Sequence, residues 1–336
     1  MEITGGGRLE VRISPSDVGK RVSVRRLTGA PGGAGKFTDT VGVLTSWNDG
    51  VMLITRRSGE TVVIEESSLV AGKVVPDAPA RRRGPAATRA ELIGVVARAW
   101  QPVESESLGD WRLRAAGGFT RRANSVLPAG DPGVSLAAAL ERVSAWYAAR
   151  ELPPYVQLET ESPDGQARLG EELVALGWRP EAAAEVWTGA LAPVGDLDAD
   201  VTRVRLERDV DEQWLSRYHR SGGAVGPHLL RVLRSGPSTW FATVPDDGAA
   251  GGEGPAAIGR CVVDGRWAGF MAVEVAPGHR RKGLARAVMA ALARRSLDEG
   301  ASAAWLQVED DNTAARALYT AMGFTPHHGY RYFRPA

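Results

Sequence analysis

The chain has 336 residues, 43% of them hydrophobic, enough for more than one core, since domains usually run to roughly 100 to 200 residues. Its 41 basic and 40 acidic residues leave a formal net charge of +1, so no whole-molecule field favours nucleic acid or a membrane surface as a partner. Cys261, the single cysteine, excludes an internal disulfide, and MEITGGGRLEV has no apolar signal segment, so a cytoplasmic protein without membrane contact is expected.

Between Leu9 and Val75 lie five strand-like runs: LEVRI, RVSVRRL, TVGVLTSW, VMLIT and TVVIE. Turn signals such as Asn48-Asp49-Gly50 and Ser58-Gly59 separate them. The pattern predicts a small, partly open all-β barrel over residues 1–76, which resembles the SH3-like barrels. Within it, GAPGGAGKFT has the outline of a phosphate-binding loop, but Ala30 and Phe37 occupy the required Gly and hydroxyl positions, so it reads as an inter-strand loop. DAPARRRGPAA, residues 77–87, has no apolar period and reads as a solvated basic linker, including Arg81, Arg82 and Arg83.

Beyond the linker the pattern turns to mixed α and β, and it occurs twice. Val126-Leu127-Pro128 precedes a helical segment over 134–150, then VQLE, then LVALGW ending at Trp178. Val275-Ala276-Pro277 precedes a helical segment over 284–298, then LQVE, then YTAMGF ending at Phe324. Four matches in one order predict two similar α/β units in tandem, residues 88–200 and 201–336.

In the second unit, AAIGRCVVDG and RWAGFMAVEV read as strands joined at Asp264-Gly265, a hairpin signal, and Pro277 ends the pairing. Arg280-x-x-Gly283-x-Ala285 then leads into a helix with Leu284, Val288, Ala291 and Leu292 on one face and Gly300 as its stop. The first amides of a helix lack intrahelical partners and sit at the positive end of its dipole, so this turn suits an anion. Gly283 and Ala285 permit close approach to the main chain, and Arg280, Arg281, Lys282 and Arg286 can neutralise phosphate charge.

VEVAPGHRRKGLARAVM and WLQVEDDNTAARALYTAMGF together resemble the acetyl-CoA-binding core of the GCN5-related N-acetyltransferases (GNATs). The resemblance implies an α/β fold in which a mixed central sheet is flanked by helices. It implies that the main chain of Val273, Glu274 and Val275 pairs with the pantetheine arm, and that amides from Arg281 through Leu284 to Arg286 hold the pyrophosphate. It assigns Asn312 to the pantetheine region and gives Tyr319 the role of protonating the departing thiolate. Read alone, Asn312 is a helix N-cap, and Tyr319 is either core or a phenol able to donate a proton from a pKa of about 10. Related enzymes often place a glutamate base on the fourth or fifth strand. Gln307 cannot accept a proton, so Glu274 is the leading catalytic base, with Glu309 and Asp310 behind it; some members of the family need none.

The first unit has VLPAGDPGVSL at the corresponding turn, where Asp131 would repel a pyrophosphate. This half is expected to be scaffold or a wall of the acceptor cleft, to which Trp111, Arg114, Arg121 and Arg122 could contribute; exposed strand residues are the alternative. His279 is expected to be exposed in its turn, and His327 and His328 lack the spacing of a metal site, so no metal is expected. The expected function is direct transfer of acetyl from acetyl-CoA to a primary amine of unspecified class within a ternary complex, without an acyl-cysteine. The alternative is a non-catalytic acyl-CoA sensor whose barrel holds a protein or nucleic-acid partner. A homodimer is compatible with either.

Overall fold

Alternating apolar residues build the first unit: Val22, Val24, Leu44, Met52, Ile54 and Ile64 point inward from successive strands and form one core. The computed structural model describes residues 10–28, 36–56, 59–75, 85–160, 166–218, 226–246 and 254–336. Most of GAPGGAGKFT and of the linker lies outside them. The chain divides into two units, Met1–Arg82 and Arg83–Ala336.

The first unit comprises β1 (Val11–Arg12), β2 (Arg21–Thr28), β3 (Lys36–Asn48), β4 (Val51–Thr55), β5 (Thr61–Glu65) and β6 (Leu69–Val74). Its six strands run in the order β1-β6-β2-β3-β4-β5. Asp49 and Gly50, with φ of 51° and 74°, make the two-residue β3–β4 turn that their sequence signals. LEVRI supplies only two strand residues, and β6 is a strand beyond the five expected. No pairing between β1 and β5 closes the sheet among the described residues, so the expected barrel appears as a six-stranded sheet.

The second unit begins with α1 (Arg89–Ala99), β7 (Glu104–Leu108), β8 (Trp111–Ala115), α2 (Leu136–Ala148), β9 (Val156–Thr160), α3 (Gln166–Ala175), β10 (Trp178–Ala190) and α4 (Leu191–Gly195). It continues with β11 (Arg205–Glu207), α5 (Glu212–Arg217), α6 (Pro227–Leu233), β12 (Ser238–Val244), β13 (Ala257–Asp264) and β14 (Trp267–Val275). It ends with α7 (Leu284–Asp298), β15 (Ala303–Glu309), α8 (Thr313–Ala321) and β16 (Thr325–Pro335).

Eight of these strands form one sheet in the order β11-β12-β13-β14-β15-β10-β16-β9, in which only β14 and β15 are parallel neighbours. β10, from the first half of the unit, lies between β15 and β16, and β16 lies between β10 and β9. The boundary expected at residues 200/201 therefore falls between strands of a single sheet. Val126-Leu127 contributes isolated bridges, one of them parallel to β9 at Val156, rather than a full strand.

Each face of the sheet has its own core. On one, Phe270, Leu306 and Val308 meet Val288, Met289 and Leu292 of α7. On the other, Trp267, Trp305, Val186 and Tyr330 meet Leu92 and Val95 of α1, Trp214 of α5 and Leu229 of α6. Thr88 caps α1 by accepting from the Glu91 amide at 3.1 Å. Glu91 then accepts from Trp267 Nε1 at 2.8 Å and from Arg266, fixing α1 over β14. Arg260 is fully buried and donates to the carbonyls of Leu233, Ala99 and Ser235, tying the ends of α1 and α6 to β13. Hydrogen bonds from a charged donor are worth about 1.5–3 kcal/mol each, so this arginine sets where α1 ends. No helix among the described residues is long and apolar enough to cross a membrane.

Candidate active site

The β13–β14 hairpin is irregular at one place. Ile258 pairs with Glu274 and Arg260 with Met271, so β14 takes three steps where β13 takes two, and Ala272 adopts a φ of 51°. The bulge resets the alternation. Met271 faces the α1 side, whereas Val273 and Val275 border the α7-side core. Strand alternation past the bulge puts Glu274 on the face opposite those valines. Gly259 lies across from the bulge, where a Cβ would come within 2.4 Å of Val288 Cγ1, so the bare backbone lets α7 sit close.

The parallel pairing of β14 with β15 ends at Phe270–Leu306. Beyond it no pairing joins the two strands, so the main chain of residues 271–275 has no ladder partner on its β15 side. Such an edge can take an extended ligand by strand-like hydrogen bonding.

At the end of β14, Pro277–His279 forms one 3₁₀ turn, followed by two left-handed residues, Arg281 (φ 60°) and Gly283 (φ 81°). A non-glycine residue in this region costs roughly 1–2 kcal/mol, and alternating left- and right-handed residues make an anion-binding nest of amides. Gly283 is the N-cap of α7 and offers no side-chain cap; the first intrahelical bond is Ala287 N–H to Gly283 O at 3.0 Å. The amides of Leu284, Ala285 and Arg286 precede that bond and have no intrahelical acceptor. The α7 first turn carries no acidic residue, and Arg280, Arg281, Lys282 and Arg286 are exposed. His279 departs from expectation: it is 6% exposed, with Nε2 3.1 Å from Asp246 Oδ1, because the turn folds the ring inward.

Asn312 caps α8, its Oδ1 accepting from the Ala315 amide at 3.1 Å. Two turns beyond Asn312, Tyr319 is half-buried with its ring edge-on to Phe324, centroids 6.1 Å apart. Val273, Val275, Leu284 and Tyr319 all border the α7-side core, so the strand edge, the turn and the phenol share one side of the sheet. Glu274 lies on the other side, half-buried and in interaction with its surroundings. Cys261 is fully buried, its Sγ 3.4 Å from Ser296 Oγ, and burial pushes its thiol up to about 12. It cannot serve as a thiolate nucleophile near neutral pH.

The α1 side holds a cavity of about 300 Å³ that reaches Gln307. Ile93, Val96, Ala97 and Trp100 roof it, and Val186, His328 and Tyr330 line it from the sheet. Arg114 and Arg122 also line it, which places them in a cleft rather than on an exposed strand. Arg114 donates to Ser125 O, Ser125 Oγ and Gln157 Oε1, and burial lowers its pKa to about 10. Arg122 Nε lies 3.3 Å from Tyr330 Oη. Arg121 pairs with Glu181 instead.

A second cavity, of about 620 Å³, adjoins the first through Ile93, Pro128, Ala129 and Glu159 and is bounded by Trp111, Leu136 and Leu169. Its charges are paired, Arg89 with Glu159 at 3.4 Å and Arg168 with Glu172 at 2.8 Å. Asp131 Oδ1 accepts from the Gly133 amide within its turn. No cluster of three or more metal-ligating side chains occurs among the described residues.

Residues 89–333 match the family described as "Probable histone acetyltransferase Rv0428c C-terminal". Over 329 residues the chain is 31% identical to the protein "Probable histone acetyltransferase Rv0428c" of Mycobacterium tuberculosis, covering 95% of this chain and 96% of that one. A GCN5-related N-acetyltransferase from Kribbella flavida shares the fold, with a TM-score of 0.51 at 16% identity over 73% of this chain and 92% of that one. So does a tandem GNAT protein from the clavulanic acid biosynthesis pathway, with a TM-score of 0.51 at 15% identity over 75% and 88%. The chain is an acyltransferase and belongs to the Rv0428c-like family of GCN5-related N-acetyltransferases.

Proposed function

We propose that the chain transfers the acetyl group of acetyl-CoA to a primary amine by direct attack in a ternary complex. The observation that carries this reading is the shared position of the parted β14 edge, the amide-rich turn and Tyr319. The main chain of Val273, Glu274 and Val275 pairs with the pantetheine arm, and the turn from Arg280 to Arg286 takes the pyrophosphate. Asn312 holds the start of α8 beside the arm. The amine nitrogen attacks the thioester carbon; the C–N bond forms, the nitrogen gives up one N–H proton to water, directly or through a neighbouring base, the C–S bond breaks, and Tyr319 gives its proton to the thiolate and is reprotonated from water. A buried Cys261 with a raised pKa supports direct transfer over an acyl-enzyme. Glu274, set on the face away from Tyr319, has the weaker claim to the base.

The interleaved sheet supports reading residues 88–200 and 201–336 as two related units that exchange their last strands. In that reading the α3-side cavity is the counterpart of the acetyl-CoA cleft, with paired charges and Asp131 replacing the phosphate turn. We read residues 1–76, joined through 77–87, as an SH3-like module whose strands are those of the first unit.

Tyr319→Phe tests the acid role. The rate of thiol release should fall by about a hundredfold or more, with acetyl-CoA affinity within about twofold of the parent. An unchanged rate would remove Tyr319 from the chemistry, and cofactor binding without thiol release for any amine would favour an acyl-CoA sensor.

A further inference from the structure

His328 on β16 is 7% exposed, with Nδ1 2.9 Å from His327 Nδ1; His327 Nε2 lies 3.1 Å from the Ala87 carbonyl oxygen. A carbonyl only accepts, so the neutral His327 ring carries its proton on Nε2 and offers a bare Nδ1 to His328 Nδ1–H. This chain of bonds leaves His328 Nε2 as an unprotonated lone pair, with no hydrogen-bond partner among the described residues.

Strand register sets His328 across Val186 from Gln307 in one cavity. Val186 pairs with Gln307 on one side and with His328 on the other, and all three line the small cavity. Gln307 and His328 are therefore two strand spacings apart, roughly 9.5 Å between backbones, with the short Val186 side chain as the floor between them. Gln307 Oε1 is buried without a hydrogen-bond partner, a state that costs free energy until a donor arrives. The trough is roofed by the aliphatic side chains of Ile93, Val96 and Ala97.

A neutral primary amine has two N–H donors and one lone pair. The trough offers two acceptors, and β15 carries Gln307 just past the point where its pairing with β14 ends. We propose that this trough seats an aliphatic primary amine, one N–H on Gln307 Oε1 and the other on His328 Nε2, and that His328 takes the amine proton during attack. The proposal rests on the direct-transfer reading above. As the C–N bond forms, the nitrogen becomes cationic and one N–H proton passes to His328 Nε2. His328 Nδ1–H then shifts to His327 Nδ1, which moves the charge to the less buried ring, from which a proton leaves to water. The thiolate takes its proton from Tyr319 and the phenolate regains one from water, so the proton released at His327 is balanced and the net products are an amide and a thiol.

The charged and titratable groups around His328 are His327, Arg89 (paired with Glu159), Arg112, Arg114, Arg122 with Tyr330, and Asp110. Burial, then His327 and Arg89, lower the His328 pKa to about 4, which keeps the ring neutral at neutral pH, while the bond to His327 sets its tautomer.

The test compares the parent enzyme with His328→Gln, using butylamine and a lysine-containing peptide as strongly basic amines and trifluoroethylamine as a weakly basic one. A proton acceptor matters most for the strongly basic amines. Their kcat/KM should fall about a hundredfold, the loss for trifluoroethylamine should stay below about tenfold, and acetyl-CoA affinity should hold. Gln307→Glu added to His328→Gln should restore part of the rate by supplying a carboxylate. Activity with the peptide but not butylamine, or the reverse, identifies the amine source. Equal loss for all amines, or no loss, would overturn the proposal while leaving acetyl transfer intact; a parent enzyme inactive with every amine would overturn the direct-transfer reading itself. Should His328→Gln not fold, nitrogen NMR of the parent decides: His328 protonated at Nδ1 and bare at Nε2 is expected, and a protonated Nε2 would contradict it.

Discussion

At the level of single residues, the surroundings of His328 make a prediction about stability as well as chemistry. An unfolded chain protonates this ring near its ordinary 6.5, whereas the folded protein resists until about 4, through burial first and then His327 and Arg89. Between those values the unfolded state binds more protons, so the contribution is complete above about 6.5 and is lost as pH falls. The loss is about 2 kcal/mol by pH 5. Urea unfolding at pH 7.5 and pH 5 should show that decrease in the parent and a decrease smaller by that amount in His328→Gln; equal decreases would show that the ring is not held neutral. Gly283 was legible in advance because Arg280-x-x-Gly283-x-Ala285 marks a turn that needs a left-handed residue, and its φ is 81°. His328 was not, because the bond that fixes its tautomer runs through His327 to Ala87, 240 residues away in sequence. One signal was present: His328, Tyr330 and Tyr332 alternate along the last strand, and all three are buried.

At the level of elements, α1 is what makes the cleft a cavity. It is fixed by Glu91 at one end and by the Arg260 donation to the Ala99 carbonyl at the other, so its middle turn is held over Val186 and Gln307. Ala97→Phe should fill the trough from above. The KM for the amine should rise at least about tenfold, equivalent to about 1.4 kcal/mol, with acetyl-CoA affinity unchanged because the turn and strand edge lie on the opposite face. Steady-state kinetics and calorimetric titration check this; an unchanged amine KM would mean that the amine binds elsewhere. The helix Leu284–Asp298 and the Asp264-Gly265 hairpin stand where capping and turn chemistry put them. The bulge at Ala272, which opens the sheet, has no local signature, since Ala-Val-Glu-Val alternates like an ordinary strand. The placement of β10 between β15 and β16 is equally hidden, because periodicity identifies strands but not their neighbours.

At the level of the whole molecule, a formal net charge of +1 provides no long-range steering, so the proposed recognition rests on local groups: exposed cations at one turn and buried acceptors under α1. The sheet brings both together from distant parts of the chain. Tyr319 and the turn come from the C-terminal third, while the cavity also draws on Arg114, Arg122 and Gln157. In the proposed reading, acyl donor and amine bind opposite faces of one sheet, meeting beyond the paired part of β14 and β15, and both are bound before any bond changes. Initial rates of thiol release, measured over a matrix of acetyl-CoA and butylamine concentrations with the full chain, test this most directly. Intersecting double-reciprocal lines are expected for a ternary complex; parallel lines, with acetyl-labelled protein isolable in the absence of amine, would contradict direct transfer.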